Sequence, residues 1–293
     1  MKLDRFLVPS MAVLSPQQLQ ESYNTLFTFG DSYTSTKFNT SGIQPTLDHP
    51  MGNPDLGQGT SAGGINWAGY LTTVYNDTAV LNFNLAVFGA TVDNSIVDGE
   101  PIDLVNQVSR NFGDHYCSSL LESSPGWKSD TALFAIWIGI NDIQISYMQT
   151  DISWTISCIM QSYFDLLEQL YACGARHFLI INVPPITRTP NMMWHDAFTR
   201  DMHEEAVVEF NYQLEETVLD WRMAHRDSTI TLYDAWSFMT DLLDRPVDYG
   251  FADDRCMGTG CVWWDDYHPT SEFHNLLAAD VAAHLRRTGL GFS

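Results

Sequence analysis

Positive charge is scarce in this chain. Lysine occurs three times, at Lys2, Lys37 and Lys128, and Lys plus Arg total 14 against 36 Asp plus Glu. The formal charge of −22 over 293 residues repels phosphate backbones and anionic headgroups, so no nucleic-acid partner is expected. Long apolar runs are missing too, since none approaches the ~18 residues of a membrane-spanning helix. No C-x-x-C and no HExxH stand in the sequence, which leaves zinc without a seat. His203-Glu204-Glu205 lacks a second histidine and reads as solvated helix surface. The acidic stretch Asp241 to Asp254 has no EF-hand order and reads as a polar loop. No metal or cofactor is expected, and neither internal repeats nor low-complexity linkers occur.

What is present suffices for one large core: 45% of residues are hydrophobic and 17% charged. Residues 1–20 read as an N-terminal extension and 21–293 as one domain, expected to be monomeric. Lys2 and Arg5 before the apolar Phe6 to Leu14 are faintly like a signal peptide, although Asp4 and Pro9 interrupt the pattern. Two glycosylation sequons, at Asn39 and Asn76, are compatible with the same expectation of secretion. Five cysteines leave at least one unpaired. Cys256 and Cys261 enclose a short Met-Gly-Thr-Gly loop that a disulfide can close. Cys158 and Cys173 lie about 22 Å apart on one predicted helix and cannot pair with each other, so each reads as an isolated buried thiol.

Short apolar runs alternate with helical periodicity, which predicts an α/β fold with a mainly parallel sheet. Strands are expected at Leu26 to Phe29, at Leu81 through Val87, at Leu133 to Ile138, at Phe178 to Val183 and at 229–233. Helices are expected over 62–75, from Pro101 through Phe112, from 151 to Gly174, over about 200–224, and after Pro269 with Thr270 or Ser271 as cap.

Four segments carry chemistry, each just after a strand or just before a helix, where open parallel sheets assemble their sites. In Phe-Thr-Phe-Gly-Asp31-Ser32-Tyr33-Thr, a serine at a strand-to-helix turn presents its hydroxyl and its own N–H; the plainer reading is a helix cap. In Asn-Leu-Ala-Val-Phe-Gly89-Ala-Thr, glycine allows close backbone approach and a second N–H donor, although turn glycines are commoner. In Ile-Trp137-Ile-Gly-Ile-Asn141-Asp142, the Asn amide can donate to an oxyanion, or merely cap a helix. In Trp263-Trp264-Asp265-Asp266-Tyr267-His268-Pro269, histidine can take a hydroxyl proton and Asp265, three residues earlier, can fix its tautomer. Asp266 competes locally and reads as solvated.

Together and in this order, the four segments resemble the sequence blocks of the SGNH hydrolase superfamily. The wording FTFGDSYT, FNLAVFGATVDNS, LFAIWIGINDI and VWWDDYHPT further resembles fungal acetylesterases of carbohydrate esterase family 16. The resemblance implies a flavodoxin-like three-layer α/β/α sandwich without a metal. It implies Ser32 as nucleophile, Asp265 and His268 as the rest of a triad, and Ser32, Gly89 and Asn141 as oxyanion donors. It also implies short acyl groups, chiefly acetyl, removed from sugars or cell-wall oligosaccharides. The chain departs from the family's short name in having Tyr33 rather than leucine after Ser32, and GDSY occurs in this branch of the superfamily. Asp31, Trp137, Trp263 and Trp264 are the candidate substrate contacts.

Competing readings are weaker. Gly59-Thr-Ser61-Ala-Gly63 matches GxSxG, but loop residues precede it where that elbow requires a strand. A carboxylate-pair glycosidase leaves Ser32, Asn141 and His268 without a common purpose. A non-catalytic carbohydrate-binding protein would use the tryptophans alone, and a lipase or lysophospholipase of the same superfamily would prefer long acyl chains. Met192-Met193-Trp194 can line a cleft or a core.

Overall fold

The computed structural model describes residues 25–117 and 126–291; the N-terminal extension expected over residues 1–20 lies outside them. Five strands form one parallel sheet: β1 (Thr25–Gly30), β2 (Leu81–Asn84), β3 (Ala132–Trp137), β4 (His177–Ile181) and β5 (Thr229–Tyr233), in spatial order β2-β1-β3-β4-β5. Every residue of β1 and β3 is buried, as parallel strands covered on both faces must be.

The helices are α1 (Trp67–Thr73), α2 (Leu104–Asn106), α3 (Gly113–Tyr116), α4 (Ile140–Ser146), α5 (Ile152–Ala172), α6 (Pro190–Met193), α7 (Ala197–Ala224), α8 (Ala235–Asp244) and α9 (Ser271–Arg287). Right-handed crossovers assign their sides. The step from β1 to β2 runs in one direction along the sheet and the steps from β3 to β5 in the other. Accordingly α1 packs with α9 on one face, while α5 packs with α7 on the opposite face. The result is the expected three-layer α/β/α sandwich. The strand order reverses between β1 and β3, and in open sheets the crevice beyond that reversal is where ligands bind.

Several local expectations need correction. The segment from Pro101 is not a simple helix, because Asp103 rather than the proline region caps α2, its side chain accepting from the Asn106 N–H. The chain then widens into a π-helical turn over Gln107–Phe112. Burying Gln107, Val108 and Phe112 together accompanies that widening. The stretch read as a polar loop from Asp241 is helical to Asp244, since Met239, Leu242 and Leu243 bury an apolar face. Cys173 is not an isolated thiol. It caps α5 and bonds to Cys117 beyond α3, a pairing that ties together segments 56 residues apart. Cys158 remains free and partly buried, and Cys256 bonds to Cys261.

Candidate active site

At the end of β1 the backbone has to pass very close to β3. Gly30 has φ +139°, and a Cβ there would lie 2.0 Å from the Trp137 carbonyl oxygen, so a larger residue has no room. The buried Gln107 amide locks this point, accepting from Gly30 N at 2.9 Å and donating to Gly30 O at 2.8 Å. The turn that follows closes on itself, with Thr34 N and Ser35 N both donating to the Asp31 carbonyl. Asn66 and Asn84 each donate a side-chain amide to the Thr34 carbonyl at 2.7 Å. Ser32 sits on this turn with 5% of its surface exposed.

The segment before α9 carries the partner groups. Asp265 Oδ1 accepts from the backbone N–H of Tyr267 (2.9 Å) and of His268 (2.7 Å), which curls the chain back toward the carboxylate. His268 Nδ1 lies 2.9 Å from Asp265 Oδ2, and Nε2 lies 2.9 Å from Ser32 Oγ. Partial burial pushes the Asp265 carboxyl up, but the two N–H bonds and the His268 ring outweigh it, leaving the group below its ordinary value. An ionised Asp265 calls for the proton on Nδ1. That leaves Nε2 as an acceptor facing the serine hydroxyl.

A third cluster follows β2 and β3, the strands that flank β1. Asn141, in the first turn of α4, donates Nδ2 to the Ala90 carbonyl at 2.9 Å. Its neighbour Asp142 is fully buried and accepts from Val92 N at 3.0 and 3.2 Å. These bonds fasten α4 to the loop that contains Gly89, whose φ is +69°. An amide nitrogen carries two protons, so Asn141 retains one beyond the bond to Ala90. Among the described residues, neither the Ser32 nor the Gly89 N–H donates a backbone hydrogen bond. A hydroxyl, an imidazole and a carboxylate thus stand in one hydrogen-bonded line, from Ser32 through His268 to Asp265.

A family model for GDSL-like lipases/acylhydrolases matches residues 26–281. The chain belongs to that family. It is therefore a carboxylic ester hydrolase. An acetylesterase of Thermothelomyces thermophilus is 35% identical, covering 88% of this chain and 86% of that protein. An acetylesterase of Hypocrea jecorina is 22% identical over 94% of this chain and 93% of its own length. Among solved structures, the acetylxylan esterase Axe2 of Geobacillus stearothermophilus superposes with TM-score 0.52 at 14% identity, covering 94% of this chain and 98% of that one. At that identity the likeness speaks to the fold.

Within this GDSL-family site, three of the four candidate substrate contacts prove to be interior groups. Trp137 is 1% exposed, donating Nε1 to the Asn182 carbonyl, and Trp263 is wholly buried, donating to the Asp254 carbonyl. A strand end and a loop base bury their indoles, so neither offers a face to a sugar. Asp31 is also fully buried. Burial, opposed by the Tyr33 N–H bond and aided by the neighbouring Asp142, raises its carboxyl to about 8. An inward, largely protonated group of this kind does not meet substrate. Trp264 differs, being 45% exposed, with its indole seated on Gly63 and its backbone N–H donating to the His268 carbonyl.

Other residues find plain roles. Ser61 of the GxSxG segment donates its hydroxyl to the Ser32 carbonyl at 2.6 Å, and so braces the nucleophile turn. His203 is not solvated surface: it is buried between α7 and α4, with Nδ1 on Thr187 and Nε2 on Gln144. Burial lowers its ring to about 4 and keeps it neutral. Met192 is core, whereas Trp194 is exposed. Asp266 is exposed and its carbonyl accepts from Asn191 N, joining α6 to the base loop. Asn39 is exposed, while Asn76 is half-buried with its amide donated to the Thr72 carbonyl.

Proposed function

We propose that this protein is a serine esterase that removes acetyl groups from acetylated sugars or oligosaccharides through an acyl-enzyme. The observation that carries the reading is the chain of short contacts from Asp265 through His268 to Ser32 Oγ. Ser32 attacks the ester carbonyl while His268 Nε2 takes its proton. Asp265 holds the ring and stabilises the imidazolium. The oxyanion that forms receives the N–H groups of Ser32 and Gly89 and the free amide proton of Asn141. His268 returns the proton to the departing sugar hydroxyl, and water repeats the sequence on the acyl-serine. No metal or cofactor enters these steps.

The acetyl preference rests on the full-length similarity to two fungal acetylesterases. A sugar leaving group suits the half-exposed Trp264, one residue from Asp265, whose apolar face can cover a pyranose ring. The formal charge of −22 disfavours anionic lipid interfaces, and no helix among the described residues is long and apolar enough to cross a membrane. The two disulfides and the exposed Asn39 sequon favour an exported, glycosylated protein. Recovery from the medium of a fungal host, with a mass lowered by glycan removal, checks this; intracellular retention opposes it.

The decisive experiment is a chain-length series of p-nitrophenyl esters followed by acetylated xylo-oligosaccharides, run on wild type and on Ser32→Ala. Wild type should prefer acetyl and release acetate from the oligosaccharides, while Ser32→Ala stays folded and inactive. An active Ser32→Ala variant overturns the mechanism. Preference for long acyl chains overturns the substrate and favours a lipase.

A further inference from the structure

The residue after Ser32 is where this chain departs from its family's short name, and the structure gives that departure work to do. Tyr33 is fully buried, and its hydroxyl donates to the Tyr267 carbonyl at 2.6 Å. Its own N–H donates to Asp31 Oδ1 at 2.9 Å. Its ring stands edge-on to Trp137, with centroids 5.4 Å apart, and lies 5.8 Å from the His268 ring. Trp137 is in turn immobilised by its bond to the Asn182 carbonyl. The phenol is therefore held in one orientation by the core beneath it.

The base loop needs such an anchor. Its other bonds curl it onto itself, as with Tyr267 N and His268 N onto Asp265 and Trp264 N onto the His268 carbonyl, or tie it to α6 through Asn191. Among the described residues, two hydrogen bonds cross from the loop to the nucleophile turn. One is His268 Nε2 with Ser32 Oγ, which must break and reform during turnover. The other is Tyr33 onto the carbonyl of Tyr267, immediately before the base. A leucine at position 33 has no donor to offer that carbonyl.

We infer that Tyr33 is a positioning residue, whose hydroxyl fixes the Tyr267 peptide and thereby holds the His268 imidazole at proton-transfer distance from Ser32. The brace persists while the serine is acylated and the Ser32–His268 bond is lost. It thus keeps the base in place for the second half-reaction. This inference rests on the roles proposed above for Ser32 and His268, and the Ser32→Ala experiment judges those separately.

Tyr33→Phe deletes the hydroxyl and keeps the ring. Misplacing a reacting group by about 1 Å costs on the order of 100-fold, so kcat per active site should fall about 10- to 100-fold, with KM for acetyl esters nearly unchanged. Active sites are counted by stoichiometric labelling of the serine with a p-nitrophenyl phosphonate, so partial unfolding does not enter the comparison. Tyr75→Phe is the control. It deletes a similar bond, Tyr75 Oη to Asn275 Oδ1 at 2.7 Å, in which neither partner belongs to the base loop or the nucleophile turn, and should lower thermal stability without changing kcat. Tyr33→Leu, which installs the common family residue, should lose at least as much turnover as Tyr33→Phe and serves if the phenylalanine variant is not recovered. Turnover per labelled site that matches wild type in either variant overturns the proposal, even if the number of labelled sites drops.

Discussion

The two loops that meet at Ser32 are built in opposite ways. From Asp31 to Thr36 the nucleophile turn is buried throughout, pinned by Gln107, Asn66, Asn84 and Ser61. The loop bringing His268 is half open: the side chain of Asp265 is 46% exposed, that of His268 is 21% exposed, and Trp264 faces solvent. A short disulfide, Cys256–Cys261, closes the segment just before it. The position of Ser32 is thus part of the core, whereas that of His268 depends on a few local bonds. Changes that spare the core can therefore still separate the two groups.

The largest effects should come from the groups that bridge the loops. His268→Ala should lower kcat by about 10⁵- to 10⁶-fold, as loss of a triad base does in serine hydrolases, and Asp265→Asn by about 10⁴-fold through the wrong tautomer. Steady-state kinetics on p-nitrophenyl acetate measures both, and near-normal turnover in Asp265→Asn would remove the orienting role. Next comes Asn141→Ala, expected to cost about 10²- to 10³-fold in kcat with little change in KM. A pure KM effect would instead mark Asn141 as a binding group.

The disulfides give a smaller effect that divides the loops cleanly. Chain-entropy arguments value the Cys117–Cys173 link, across 56 residues, at about 4 kcal/mol and the Cys256–Cys261 link, across 5, at about 2 kcal/mol. Cys117→Ser should lower Tm more, while Cys256→Ser should lower kcat more, because only the latter staples the chain near Asp265. Equal kcat in the two variants would show that the base loop needs no staple.

The smallest effect is a pH slope set by the nucleophile side. Burial holds Asp31 at about 8 and Asp142 at about 7, against 3.8 in the unfolded chain. The folded state then binds more protons at these two groups over that interval, so their contribution to stability is greatest below about 4 and declines as pH rises toward 8. Asp265, lowered instead, loses its stabilisation on the acid side, as pH falls through its folded value. Asp31→Asn should flatten the decline in Tm between pH 5 and 8; an unchanged slope would mean that Asp31 is ionised in the folded protein.

Legibility in the sequence followed the range of each interaction. The strand positions and the long helices α5, α7 and α9 could be read because apolar period and capping residues act within one element, as with Thr270 accepting from Phe273 N. The four functional segments were readable as motifs, and Asp265 with His268 lies within reach of a local turn. Trp137, Trp263 and Asp31 misled because residue type indicates what a side chain can contact, not which way its backbone points it. His203 looked solvated beside two glutamates, yet its own helical face packs inward.

From the linear chain alone come the parallel-sheet pattern, the four segments proposed here to carry nucleophile, base and donors, and the expectation that a charge of −22 disfavours anionic partners. Crossover topology decided the rest. It brought Cys117 to Cys173 and seated Ser61 on the Ser32 carbonyl. It also set the hydroxyl of Tyr33 against a carbonyl 234 residues away. Such meetings depend on the summed path of every intervening element, whereas periodicity and capping depend only on neighbours a turn or two along the chain.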